Sequence, residues 1–164
     1  MQLDTMTLKL TLLFMMTVTG TLIGVGLSKR LTGRRRYFEE LISLINTLIS
    51  DFKFKQSSVS ILLSNFKAAA VKPAVDEFIA YASGDAKELR LPRQELTERE
   101  YNFVTELFSA LGTYDLDTQV FVLDNYKLKA EEFYATAKEQ ECRYGRTYVK
   151  LGFLFGLAAG IILL

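Results

Sequence analysis

The sequence predicts an all-α protein: an antiparallel helical bundle flanked by N-terminal and C-terminal transmembrane helices. Three observations in the 164 residues lead there. Two runs near the ends carry no charge, and apolar residues between them recur at helical spacings. No sustained apolar/polar alternation and no Asn-Gly or Asp-Gly hairpin turn offers a competing strand.

The first element is the run Leu10 to Ser28, with eleven large apolar residues, three glycines and otherwise only threonine and serine. Its 19 residues make about 28 Å of helix, against a bilayer core of about 30 Å. A cleavable signal peptide would have a shorter apolar core and a small-x-small site, whereas this run passes directly into Lys29-Arg30. A buried core helix is the other reading, but no polar face accompanies it. The run is therefore expected to be a retained anchor.

Beyond it, Phe38, Leu41, Ile42, Ile45, Leu48, Ile49 and Phe52 fall on one helical stripe, with Glu39, Glu40, Asn46 and Asp51 largely between them. A helix is expected from about Arg35 to Lys53, continuous with the first anchor or separate from it. Ser57 and Ser58 offer a cap for a short helix through Ile61, Leu62 and Phe66. Pro73 suits a first helical turn, Val75, Phe78, Ile79 and Ala82 form the next stripe, and Gly84 suits its close. Asp85 to Gln94, with Pro92, reads as a mobile connector.

Thr97-Glu98-Arg99-Glu100 is a capping-box pattern, in which the threonine hydroxyl and the Glu100 carboxylate satisfy each other's backbone amides. Tyr101, Val104, Leu107, Phe108 and Leu111 supply the following stripe, which Gly112 ends. Asp115 or Asp117 then caps a last helix that meets no proline up to Leu164. Unbroken, its 49 residues would extend about 73 Å, enough to leave the bundle and enter a membrane. Gly145 is its weak point, costing about 1 kcal/mol relative to alanine.

The final 14 residues, LGFLFGLAAGIILL, make only about 21 Å of helix. Tyr148 and Val149 extend the apolar stretch, Lys150 can snorkel, and local thinning of the bilayer accommodates a short span. A re-entrant or interface-lying tail is the alternative. These readings divide the chain into an N-terminal transmembrane anchor at 1–28, a cytoplasmic helical bundle at 29–147 and a C-terminal transmembrane helix at 148–164.

Charge gives the orientation. Lys29, Arg30, Arg34, Arg35 and Arg36 follow the first apolar run, and Arg143, Arg146 and Lys150 precede the second, so the net +1 hides two basic shoulders around an acidic middle. Both shoulders face the middle, and the positive-inside rule places them in the cytoplasm, with the flanking ends across the membrane. Attraction to anionic membrane lipids explains Arg34-Arg35-Arg36 better than nucleic acid does, because no aromatic residues are interleaved.

The composition excludes much chemistry. With no histidine, imidazole zinc sites and histidine-based triads are absent, and one cysteine makes neither an internal disulfide nor a cluster. No phosphate-cradling glycine motif occurs. Cys142 reads as a plain free thiol, Glu131, Glu132, Glu139 and Glu141 as a solvated face, and Tyr101, Tyr114, Tyr126, Phe133 and Tyr134 as core or a partner-facing patch. Neither an enzyme nor a cofactor is expected. A small membrane enzyme using carboxylates alone would need polar groups at membrane depth, which the charge-free runs do not supply.

Glycine spacing is the most informative local pattern. Gly152, Gly156 and Gly160 recur every four residues, as do Gly20 and Gly24. Such faces let helix backbones approach closely in lipid, and a contact within the chain or between subunits of a homo-oligomer is expected; glycine's abundance in membrane helices is the alternative.

Thr19-Gly20-Thr21-Leu22-Ile23-Gly24 leading to Ser28-Lys29-Arg30-Leu31, then Leu107 and Phe108 before Leu111-Gly112 with Asp115 and Gln119, and finally Lys150-Leu151-Gly152-Phe153-Leu154-Phe155-Gly156-Leu157, together resemble the stage III sporulation protein AB family of endospore-forming bacteria. The likeness covers the whole chain. It departs at Phe52 to Ser58, where the family's tyrosine-glycine-proline turn is replaced, so contacts through that turn are not carried over.

The resemblance implies a non-enzymatic component of the mother-cell to forespore channel, in the mother-cell membrane. It also implies a soluble part similar to the cytoplasmic domain of the F-type secretion platform, engaging a secretion-type ATPase, stage III sporulation protein AA. Leu111, Gly112, Asp115 and Gln119 then mark a bundle or partner element; the local alternative is a helix stop followed by a cap. A membrane-tethered adaptor or sensor outside sporulation is the competing functional reading.

Overall fold

The computed structural model describes residues 2–54, 59–66 and 68–162. Among the described residues five α-helices follow one another: α1 (Gln2–Phe54), α2 (Val59–Ser64), α3 (Lys72–Ala82), α4 (Glu98–Ala110) and α5 (Leu116–Ile162). No strand occurs among the described residues. Ser57 and Ser58, expected to cap α2, lie outside them. The chain divides into two compact units, Met1–Thr32 with Ala137–Leu164 and Gly33–Thr136, and α1 and α5 each contribute to both.

In the second unit the core forms around the α1 stripe. Phe38, Leu41, Ile45, Leu48, Ile49 and Phe52 are buried, joined by Tyr37 and Leu44, while Ile42 sits at the margin. Val75 and Phe78 of α3, Val104, Leu107 and Phe108 of α4, and Leu123 and Ala130 of α5 complete it. Phe103 also belongs there, its ring against Tyr126 and Phe133, whereas Tyr101 is only partly covered and Ala82 is exposed. Phe38 stacks on Phe133 at 5.4 Å between ring centres, tying α1 to α5. Burial drives the Tyr37 phenol well above its ordinary pKa, so it stays neutral.

Both ends of α3 and of α4 have an identifiable start or stop. Pro73 occupies the first turn of α3, where its missing N–H costs nothing. At the other end Gly84 takes φ +84°, a conformation open to glycine, and its N–H bonds to the Tyr81 carbonyl. α4 begins with the complete capping box: Thr97 N–H donates to Glu100 Oε2 at 2.9 Å, and Glu100 N–H donates to Thr97 Oγ1 at 3.4 Å. Gly112, at φ +78°, ends the α4 segment.

The start of α3 is capped from outside its own segment. Glu40, one helix away on α1, accepts the Ala70 N–H at 2.6 Å and the Val71 N–H at 3.2 Å. A carboxylate on these amides satisfies the N-cap donor and the one before it, and suits the positive end of the helix. Glu40→Ala is expected to destabilise the full-length chain by about 1 kcal/mol, the usual worth of such a cap. Thermal unfolding in detergent, followed by circular dichroism, measures it.

The irregular segment between α3 and α4 is held more firmly than its composition suggests. Leu91 and Leu96 are buried in the core, and Gln94, at φ +41°, donates from Nε2 to the Ala70 carbonyl at 3.1 Å. Two apolar anchors in so short a stretch tie it to the core.

Candidate functional site

In the first unit, the initial part of α1 and the final part of α5 pack as an antiparallel pair. A Cβ added to Gly20 would lie 2.5 Å from the Gly152 carbonyl oxygen and 2.8 Å from the Gly156 Cα. One on Gly156 would lie 2.6 Å from the Met16 carbonyl oxygen and 2.9 Å from the Thr17 Cα, and Gly160 faces Leu13. Gly24 meets the backbone of Tyr148 and Val149, and Gly145 faces Ser28. Four residues up one helix thus match four residues down the other. At Gly20, Gly24 and Gly156 the contacts are of backbone on backbone, which no side-chain rotamer relieves. A Cβ added to Gly26 would meet no other described residue within 4 Å.

The pair turns large apolar side chains outward. Phe14 is 68% exposed, Leu22 65% and Phe155 71%, whereas a core helix of a water-soluble protein would cover such groups. Both helices are long and apolar enough to cross a membrane, by length and composition. The hydroxyls within the first run are compatible with lipid because they bond to their own helix: Thr17 donates to the Leu13 carbonyl at 2.9 Å and Thr21 to the Thr17 carbonyl at 2.7 Å. α5 continues as a helix through Gly145.

The basic residues divide by environment. Lys29, Arg30, Arg143, Arg146 and Lys150 are exposed in the first unit, and the Ser28 to Gly145 approach sets Lys29 and Arg30 level with Arg143 and Arg146. In the second unit, Arg35 pairs with Glu39 at 2.7 Å and Arg36 with Glu40 at 3.3 Å, both one turn along α1. Arg34 turns inward. Its Nε donates to both oxygens of Glu100, at 2.8 and 2.9 Å, and its Nη2 to Oε1 at 2.7 Å. Glu100 is 1% exposed, and Thr97 Oγ1 also donates to it at 2.8 Å. One carboxylate therefore closes the α4 cap and neutralises an arginine of α1. The capping half is legible locally; the arginine, 66 residues away, is not.

Leu111, Gly112, Asp115 and Gln119 come together at the α4–α5 turn. Leu111 is buried, the Gly112 N–H donates to Gln119 Oε1 at 3.2 Å, and the Gln119 N–H donates to the Asp115 carbonyl at 2.8 Å. Asp115, rather than Asp117, caps α5, its carboxylate accepting the Thr118 N–H at 3.3 Å. Hydrogen bonds from Thr118 hold the Asp115 carboxyl below its usual pKa, so its support for the helix start is present when ionised and lost as pH falls through the lowered value. Gln119 is buried, and its Nε2 has no hydrogen-bond partner among the described residues.

Glu131, Glu132 and Glu139 are exposed, Glu141 is half-buried, and Cys142 is an exposed free thiol. No group of carboxylates and cysteine suited to a metal occurs among the described residues. Tyr114 is exposed, while Tyr126, Phe133 and Tyr134 pack against the core.

A glycine-matched pair of apolar helices with basic residues at one end thus accompanies an all-α unit. The family model for stage III sporulation protein AB matches residues 9–164. The chain belongs to that family. No curated protein and no solved structure matches it. Membership in the stage III sporulation protein AB family makes it a sporulation channel component of a non-catalytic kind, in a family of mother-cell membrane proteins. The match includes both glycine-bearing runs and the turn holding Gly112 and Gln119.

Proposed function

We propose that the chain is a two-pass platform at the base of the mother-cell to forespore channel, engaged from the cytoplasm by the channel's secretion-type ATPase, stage III sporulation protein AA. Both apolar runs cross the bilayer, and the middle, residues 29–147, is cytoplasmic. The observation that carries this reading is the antiparallel glycine-matched pair, whose lysines and arginines gather at one end; positive charge beside short loops and helix ends marks the cytoplasmic side. Gly20, Gly24, Gly152, Gly156 and Gly160 hold the two spans together. The proposed bundle corresponds in role to the cytoplasmic domain of F-type secretion platforms.

Copurification of the detergent-extracted full-length chain with the ATPase tests the partner, and fusions at Leu164 test the topology. The expected results are a stable complex and a reporter active only outside the cytoplasm. No association under membrane-preserving conditions, or a reporter active in the cytoplasm, would overturn the respective half of the proposal.

A further inference from the structure

Between Leu116 and Thr136, α5 has two faces of different character. Leu123 and Ala130 point into the core at 0% exposure, with Gln119 beside them. On the other side Phe121 is 68% exposed and Leu128 64%. Seven residues separate the two, so they share one stripe about 10.5 Å apart along the helix. Asp117, Asp124, Glu131 and Glu132 border that stripe, all exposed. A cleft of about 170 Å³ opens next to it, lined by Glu106, Val122, Asn125, Tyr126 and Lys129. Burial and the nearby Glu106 raise the Tyr126 pKa, keeping the cleft's phenol protonated and able to donate a hydrogen bond.

We propose that this face of α5 docks a basic amphipathic helix of a protein partner. Two large apolar side chains, two turns apart on that helix, would cover Phe121 and Leu128, and lysine or arginine would lie opposite the bordering carboxylates. Charge complementarity selects this occupant, because the four bordering carboxylates outnumber Lys129 on the cleft side of the stripe. An anionic lipid surface would meet four carboxylates, and a second copy placed symmetrically on the stripe would set acid against acid. The cleft accepts one protruding side chain beside the stripe. The proposal rests on the platform reading only in placing this unit in the cytoplasm.

The test puts a photo-crosslinking amino acid at Phe121, or at Leu128, in the full-length chain within sporulating cells. Adducts are identified by peptide mass spectrometry. The expected adduct is a protein segment with apolar residues at a two-turn spacing and flanking lysine or arginine. Asp124→Lys with Glu131→Lys should lower its yield by about tenfold, the change produced by ~1.4 kcal/mol of lost attraction. Membrane abundance and thermal midpoint should be unchanged, because these side chains are exposed.

An adduct to a second copy, to lipid or to an acidic segment would overturn the proposal, as would no adduct or a yield indifferent to charge reversal. The two readings fail separately. Copurification of the ATPase without a basic adduct at Phe121 or Leu128 sinks the docking face alone; a basic-helix adduct without ATPase copurification sinks the partner assignment alone.

Discussion

Glu100→Gln is expected to lower the thermal unfolding midpoint of the full-length protein by about 6–20 °C. That range corresponds to about 3–5 kcal/mol for a buried ion pair broken on one side and about 2–4 °C per kcal/mol for a chain of this size. The geometry explains why so conservative a change would cost so much. Glutamine can still accept the Thr97 N–H, so the α4 cap survives in part. Arg34, however, is only 13% exposed and would lose the carboxylate to which both Nε and Nη2 donate. Its guanidinium, largely withdrawn from water, would lose the buried carboxylate that balances it there.

A second variant separates that account from a general intolerance at position 100. Arg34→Leu combined with Glu100→Gln removes both charges of the pair and keeps an acceptor at the cap. It should recover most of the loss, giving a coupling of at least about 1 kcal/mol in a double-mutant cycle. Circular dichroism melts in detergent decide the matter. Equal midpoints for Glu100→Gln and the native chain, or additive losses in the double variant, would show that the pair contributes little.

Gly20→Leu is expected to separate the antiparallel helices. A Cβ there meets the Gly152 carbonyl oxygen at 2.5 Å and the Gly156 Cα at 2.8 Å, both backbone atoms. Overpacking typically costs about 1–3 kcal/mol, and here relief requires one helix to move from the other. In lipid no hydrophobic drive between helices offsets the lost backbone contact.

The readout is disulfide formation between Leu13→Cys and Gly160→Cys in a Cys142→Ser background, since Gly160 sits directly over Leu13. Adding Gly20→Leu should reduce the cross-link by about tenfold, equivalent to ~1.4 kcal/mol. Gly26→Leu should leave it intact, because a Cβ there meets no other described residue within 4 Å. Equal cross-linking in the two leucine variants would remove the glycine contacts from the account of how the spans are held. Loss of ATPase copurification in Gly20→Leu alone would connect that packing to the platform function.

How far local sequence information reached can be followed residue by residue. The spacing of Phe38, Leu41, Ile45 and Leu48 gave the buried side of α1, because helical periodicity is a short-range property. The Thr97 to Glu100 box gave the start of α4 for the same reason: both its hydrogen bonds close within one turn. Composition identified two runs fit to cross a membrane, and charge placed basic residues beside them. Motif order through the whole chain was enough to point to the family that the comparison with residues 9–164 shows.

Other features required the folded chain. That Asp85 to Gln94 is tied down by Leu91, that Glu40 caps α3, and that Phe103 rather than Tyr101 enters the core depend on which helices pack together. Arg34 shows the difference most clearly. By position it is one of several arginines after an apolar run, yet the fold brings it onto Glu100, 66 residues away.

Sequence by itself thus determined the all-α class, the apolar runs, the capping box of α4 and the absence of histidine-based chemistry. Each follows from residue identity or from interactions spanning a turn or less. Tertiary structure decided which charge is buried, which glycines meet backbone, and which stripe of α5 stays uncovered. Those outcomes depend on contacts between segments far apart in the chain, and no local pattern records the partner that a residue will meet.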